Sequence, residues 1–326
     1  MSDDPFALFR TARAPVRRSI VELIADGVLD AELASIAWLL VEARLPVIVG
    51  GSPQGAGRTT LLEAVLDFLP PGTRRIDLAG AAEDFAWLPE ANTVGWLPGF
   101  DGELNGGRAP RPAAPSSGVT PPSGVMPPSG VTPPSGVTPA SGYLVAAELS
   151  EHLPIYTWGR AARTLVRAAS IGYGIGATVH ASRLEDVHEL LREREVGLTD
   201  DELTYLGLVL IVRADGGPNG RARRRVVAAH YARPVGRDGH GHTQRLAPAV
   251  LASRSNAGAA LDHFEWGVMP ELAIRLDRRA GDLEREQAER AAFLRALAAS
   301  GRTEVGAVRA AIRAFRNPAL GGHPAH

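Results

Sequence analysis

Residues 45–66, LPVIVGGSPQGAGRTTLLEAVL, leave few folds open to this chain. The apolar, β-branched run Val47, Ile48, Val49 ends in a Gly-rich turn, and a Leu/Ala-rich helical pattern begins straight after it. Strand, tight turn and helix in that order build a P-loop, where backbone N–H groups and a helix N-terminus cradle phosphates. The template is G-x-x-x-x-G-K-[ST]. Gly57 and Thr59 fit it, whereas Ser52 stands at the first Gly and Arg58 at the Lys. The candidate phosphate-binding residues are therefore Ser52, Gly55, Ala56, Gly57, Arg58, Thr59 and Thr60, with the Thr59 hydroxyl placed to reach Mg²⁺. A Gly-rich strand-to-helix turn can also be a plain connection. Arg58 keeps a positive charge but replaces a compact ammonium with a planar fork, so the phosphate contact differs in geometry.

The rest of the chain alternates strand and helix patterns. Before the loop, 19–24 reads as a short helix stopped by Gly27. Asp30 then N-caps a second helix with apolar residues at Leu33, Ile36, Ala37, Leu40 and Val41. After it, strand patterns at 75–79, 143–147, 175–180, 206–212 and 224–230 alternate with helical patterns at 160–169 and 184–192. The end is helical, at 282–299 and in a final helix with Val305, Val308, Ile312 and Phe315 on one face. Such alternation predicts an α/β fold with a mostly parallel sheet. The 326 residues hold one large α/β domain with an appendage, or two modest domains.

Between 115 and 142 the chain repeats a Pro-Ser-Gly-Val-Thr-Pro hexapeptide. A segment so poor in large apolar groups is expected to be disordered or partly polyproline II. It reads as a tolerated insertion in a surface loop, or as a docking tail for a Pro-binding module.

Composition excludes more than it assigns. With no cysteine there are neither disulfides nor thiolate metal sites. A net charge of −1 gives no global field for nucleic acid, so no nucleic-acid partner is expected. The acidic N-terminus shows no signal peptide, and the longest apolar runs, at 36–41 and 206–212, are far too short to span a membrane. All 35 Lys+Arg residues are Arg, a bias of the whole chain.

Two further residues carry possible chemistry. Glu148 ends the buried strand 143–147, where a carboxylate beside a P-loop orients Mg²⁺ or water. His180 ends the strand 175–180 at the same edge and reads either as a phosphate contact or as a satisfied structural histidine. The His240 and His242 pair invites a metal reading, but glycines flank it and no third ligand is near in sequence, so a loop is expected.

At these residues the chain resembles the secretion ATPases of type II/IV systems, which include Tad-pilus and archaeal-flagellum motors. IVELIADGVLDAELASIAWLL at 20–40 is similar to the helical lead-in of that family, and the 50–71 segment to its Walker A and following helix. YLVAAELS at 143–150 resembles its atypical Walker B, placing Glu148 on the catalytic Glu. RAASIGYGIGATVHASRLEDV at 167–187 resembles its His box, placing His180 on the histidine. The resemblance implies a RecA-like P-loop core at 35–255, a lead-in at 1–34, the repeat inserted at 106–142 and a helical region at 256–326. It also implies ATP and Mg²⁺ as cofactors, with Thr59 and Glu148 at the metal and Glu148 and His180 as catalytic residues. The expected partners are a homo- or hetero-hexameric ring and a membrane-embedded secretion or pilus platform, met at the cytoplasmic face of the membrane.

The departures point the other way. The family's N-terminal domain, which supplies arginines to the nucleotide, has too few residues here to be housed before the loop. Its acidic box has only Glu83-Asp84 as a candidate, Ser150 replaces the Arg after its Walker B, and its basic helix has given way to the repeat. Three readings follow: a working motor ATPase, a non-hydrolysing paralogue that assembles with or regulates an active one, and an unrelated P-loop regulator.

Overall fold

The computed structural model describes residues 17–97, 137–216, 222–237, 239–240, 242–256 and 258–317. The chain begins with α1 (Ile20–Ala25), α2 (Ala31–Glu42), β1 (Val47–Ser52), α3 (Arg58–Leu66) and β2 (Arg74–Asp77). It resumes with β3 (Gly142–Leu149), α4 (Gly159–Ala168), β4 (Gly174–Val179), α5 (Leu184–Arg192), α6 (Asp200–Leu203), β5 (Leu208–Gly216) and β6 (Ala222–Tyr231). The last part holds β7 (Gly236–Arg237), β8 (Thr243–Gln244), β9 (Ala249–Ser253), β10 (Asp262–His263), α7 (Met269–Arg275), α8 (Ala280–Ala299) and α9 (Val305–Arg316).

Eight strands form one sheet in the order β10-β9-β6-β5-β1-β4-β3-β2. The pairings from β2 to β5 are parallel, and β6, β9 and β10 extend the sheet antiparallel. The mostly parallel α/β sheet expected from the alternation is thus present. Its antiparallel end begins at β6, after the sequence Gly-Gly-Pro-Asn-Gly at 216–220, which reads as a hairpin turn and of which 217–220 lie outside the described residues.

Strand alternation divides the interior into two cores. Val47, Val49, Tyr143, Val145, Leu208, Leu210 and Val212 face a core covered by α1, α2, α3 and α7–α9. Ile48, Leu144, Ala146, Val209 and Ile211 face the other, covered by α4 and α5. Besides a one-residue offset on β9, where Ala229 pairs with Ala252 but His230 with Val250, two single-residue bulges near the P-loop interrupt this alternation. On β3, Ala146 pairs with Ala177 but Leu149 with Val179, so β3 carries one extra residue across 147–148. On β6, Ala228 pairs with Ile211 but Val226 with Val212, so the extra residue is Val227. Beyond each bulge the side chains exchange faces.

The helix starts follow their sequence signals. The Leu33 N–H donates to the Asp30 carboxylate at 2.9 Å, capping α2 as expected. The C-terminal helices pack back on the start of the chain. Trp38 of α2 is fully buried against Phe68 (4.8 Å, stacked), Phe293 and Phe315. The guanidinium groups of Arg290 and Arg316 lie 5.1 and 5.4 Å from its ring, and both reach Glu42.

Most of the repeat, through 136, lies outside the described residues, as does 1–16 of the lead-in. From Val137 the chain is described: Val137 packs into the second core and Gly142, read as the last residue of the repeat, opens β3. No helix among the described residues is long and apolar enough to cross a membrane.

One buried contact makes stability depend on pH. His263 of β10 lies 2.9 Å from Asp30 Oδ2 and 3.3 Å from Glu265 Oε2. Its hydrogen bonds to Asp30 and then Glu265 outweigh desolvation and push its pKa up to about 10. Because the folded value lies above the unfolded one of ~6.5, the contribution is complete below that pH and is lost as pH rises towards 10. His263→Gln is expected to lower stability at neutral pH by about 1–3 kcal/mol. It should also flatten the fall in stability between pH ~6.5 and 10, as read from urea unfolding at several pH values.

Candidate functional site

The chain leaves β1 at Ser52 and enters α3 at Arg58. Gly55 (φ 83°) and Gly57 (φ 95°) take the left-handed conformation that glycine adopts without strain. Gly57 opens α3 and no side chain caps its first turn, leaving the N–H groups there in the arrangement that receives a phosphate. A cleft of about 790 Å³ stands over the turn at the carboxyl edge of the parallel strands. Gly55, Ala56, Gly57, Arg58, Thr59, Thr60, Glu148 and His180 all line it. Ser52 meets it through His180, with Oγ 3.4 Å from Nε2.

Arg58 takes an unexpected position. It is only 8% exposed, and its guanidinium lies among the strand ends. Nη1 donates to the Gly51 carbonyl at 2.7 Å and to the Val179 carbonyl at 3.4 Å, and lies 3.0 Å from His180 Nδ1. Nη2 donates to Glu148 Oε2 at 2.8 Å. A guanidinium only donates, so His180 Nδ1 must accept, which assigns the ring proton to Nε2, facing Ser52 Oγ. Gly51 makes room for the stem: a Cβ there would stand 2.9 Å from Arg58 Cγ and 2.7 Å from the Val212 carbonyl.

Glu148 reaches this cation because of the β3 bulge. In a regular strand, residue 148 would share a face with Leu144 and Ala146, in the core beneath α4 and α5. With the extra residue, Leu149 takes that face and Glu148 turns towards α3. The bulge is held from both sides, by Thr178 Oγ1 donating to the Ala147 carbonyl at 2.6 Å and Thr157 N–H donating to the Glu148 carbonyl at 2.9 Å. Tyr156 lines the same cleft, and burial followed by the Glu148 charge raises its phenol above the usual range. Arg58 and Glu148 form a near-buried ion pair whose side chains are 9% and 12% exposed.

The other sequence candidates fall elsewhere. Glu83 is a structural staple: its carboxylate accepts from Ala79 N–H, Phe85 N–H and Trp87 Nε1 at 2.9–3.0 Å. Asp84 closes a local turn on Ala86 N–H. Ser150, at the position of the family's Arg, is buried and accepts from His152 N–H. The His240 and His242 rings are 6.2 Å apart, and no group of three or more His, Cys, Asp or Glu suited to a metal gathers among the described residues.

No protein-family model matches the chain, and no curated protein matches it. Several solved structures are similar to parts of it, two of them as follows. The VirB11 ATPase from the Brucella suis type IV secretion system, in complex with sulphate, is 16% identical with a TM-score of 0.33 over 61% of this chain and 52% of its own. The Legionella pneumophila ATPase DotB is 10% identical with a TM-score of 0.28 over 63% of this chain and 51% of its own. The chain therefore spans about half the length of each of the two.

Two arginines of the cleft escaped the sequence reading: Arg18, which is held in ion pairs by Glu22 and Asp26, and Arg224. Arg224 of β6 donates from Nε to the Gly55 carbonyl at 2.9 Å. Its signal was present in the run Arg223-Arg224-Arg225, but which of the three meets the loop depends on the bulge at Val227, which sequence alone does not show.

Proposed function

We propose that this chain is a secretion- or pilus-type P-loop protein that binds Mg-ATP at the 52–60 loop and hydrolyses it slowly or not at all. On this reading the RecA-like core spans 35–255, between the lead-in at 1–34 and the helical end at 256–326. It assembles, as a homo- or hetero-hexamer, at the cytoplasmic face of a membrane-embedded platform. The order of motifs at 50–71, 143–150 and 167–187 supports the family.

The residues of the cleft fit a nucleotide. Gly55 and Gly57 hold the left-handed turn, and the uncapped start of α3 supplies backbone donors. Thr59 is exposed in the cleft and would hold the metal through its hydroxyl. Bound Mg²⁺ would supply charge neutralisation on the phosphates. His180 would act as a hydrogen-bond donor at the strand edge.

The observation that carries slow turnover is the Arg58–Glu148 pair. A carboxylate that orients water must be free to turn towards it, and a cation 2.8 Å from Oε2 holds Glu148 in place and offsets its charge. A lysine in that place would serve the phosphates; this arginine binds the carboxylate, the histidine and the strand end at once. That favours the non-hydrolysing paralogue over the working motor. Equilibrium binding of MgATP and steady-state turnover by the purified chain test the reading. No binding by the native chain or by Arg58→Lys ends it. Turnover of several per second, abolished by Glu148→Gln, returns the motor.

A further inference from the structure

The latched Arg58 leaves open which cation of this chain meets the phosphates. We infer that it is Arg224, contributed by β6 from across the sheet; the inference rests on the nucleotide reading above.

Strand register places Arg224 over the loop. β1 ends at Ser52, which pairs with Arg213 of β5. The β5–β6 pair continues past that point, and the next rung, Ala214 with Arg224, overhangs the turn that begins at Pro53. The face is equally determined. Val226, two residues away, is buried in the core that α3 covers, and Ala214 packs against the same core. Alternation therefore gives Arg224 the α3 face, while Arg223 and Arg225 turn to the other. Without the bulge at Val227, the assignment would be reversed, and Arg225 would face the loop.

The side chain uses that position. Its Nε donates to the Gly55 carbonyl, its Cδ fills the space a Cβ on Gly57 would need, and it lines the cleft together with Thr59 and Thr60. Unlike Arg58, Arg224 is exposed, so its fork faces the solvent that a ligand would displace. Arg58 stays latched to Glu148 and His180, and Arg224 takes the phosphate-side place of the template lysine. The ligand class this selects is a polyphosphate ester, since a planar fork above a helix N-terminus suits adjacent phosphate oxygens.

The test is equilibrium binding of MgATP, MgADP and AMP to the full chain and to Arg224→Gln, Arg224→Lys and Arg225→Gln. Arg225→Gln removes the same charge one residue away on the opposite face. A lost charge-assisted contact corresponds to roughly a ten- to hundredfold weaker binding of MgATP by Arg224→Gln. The loss should shrink from MgATP to AMP, Arg224→Lys should recover part of it, and Arg225→Gln should change it by less than about threefold. The unfolding midpoint without ligand should be the same in all four proteins. Equal losses for all three ligands, or equal losses in Arg224→Gln and Arg225→Gln, would mean loop stapling or bulk charge and overturn the inference. Native binding untouched by Arg224→Gln overturns it while leaving the nucleotide reading intact. Failure of the native chain to bind any of the three removes both.

Discussion

Arg58→Lys should raise ATP turnover at least tenfold over the native chain. The fork of Arg58 makes its contacts with Gly51, His180 and Glu148 simultaneously because its donors are planar and spread. A lysine has one compact ammonium on a flexible stem and cannot hold all three. Glu148 is then released to turn towards a water, and the new ammonium is free to turn towards the loop. Adding Glu148→Gln should remove the gain by roughly 10²–10⁴-fold, the usual worth of a positioned acid–base group. Steady-state phosphate release from the single and double variants checks both steps. A lysine variant no faster than the native chain would show that the latch is not what limits turnover. The pair is also nearly buried, so Arg58→Ala is the poorer experiment: deleting one partner of such a pair costs about 3–5 kcal/mol and confounds activity with folding.

A loss of stability as large is expected on α2, away from the cleft. Trp38→Ala should lower the unfolding free energy by about 3–5 kcal/mol, the range for emptying a large aromatic site. Here the hole opens between three rings and two guanidinium groups. Phe68 loses its stacking partner, and Arg290 and Arg316 lose the ring faces against which they lie. Both arginines are drawn to Glu42, so the cluster fastens α8 and α9 to α2 by charge as well as by packing. Urea unfolding followed by circular dichroism measures the loss, and Trp38→Phe, which keeps a stacked ring, should lose less. A change below about 1 kcal/mol for the alanine variant would mean that the C-terminal helices do not depend on this cluster.

The elements that organise the site could be read from local pattern because local physics makes them. Val47–Val49 followed by glycines and two threonines specifies strand, turn and helix within twenty residues, and Asp30 announces the start of α2 by its own cap. Glu148 and His180 could be placed at strand ends for the same reason. What could not be read depends on partners distant in sequence. Arg58 looked like a weakened lysine until its acceptors on β3 and β4 were brought beside it, 90 and 122 positions away. Glu83, with Asp84, was the candidate for an acidic box, but three donors between Ala79 and Trp87 hold its carboxylate. The antiparallel β5–β6 pair was legible from the hairpin-type run Gly-Gly-Pro-Asn-Gly at 216–220, but the pairing of β9 and β10 beyond it had no local signal.

The two bulges have a consequence for how this chain tolerates length changes. Each is a single-residue offset, and each decides which charge stands above the P-loop: Glu148 through the one on β3, Arg224 through the one on β6. A strand has only two phases. One residue deleted from either segment would leave composition, hydropathy and strand propensity almost unaltered, yet it would send an acid into the core on one side or exchange one arginine for its neighbour on the other. At these two points, the chemistry is written in parity, and substitutions alone would not reveal it.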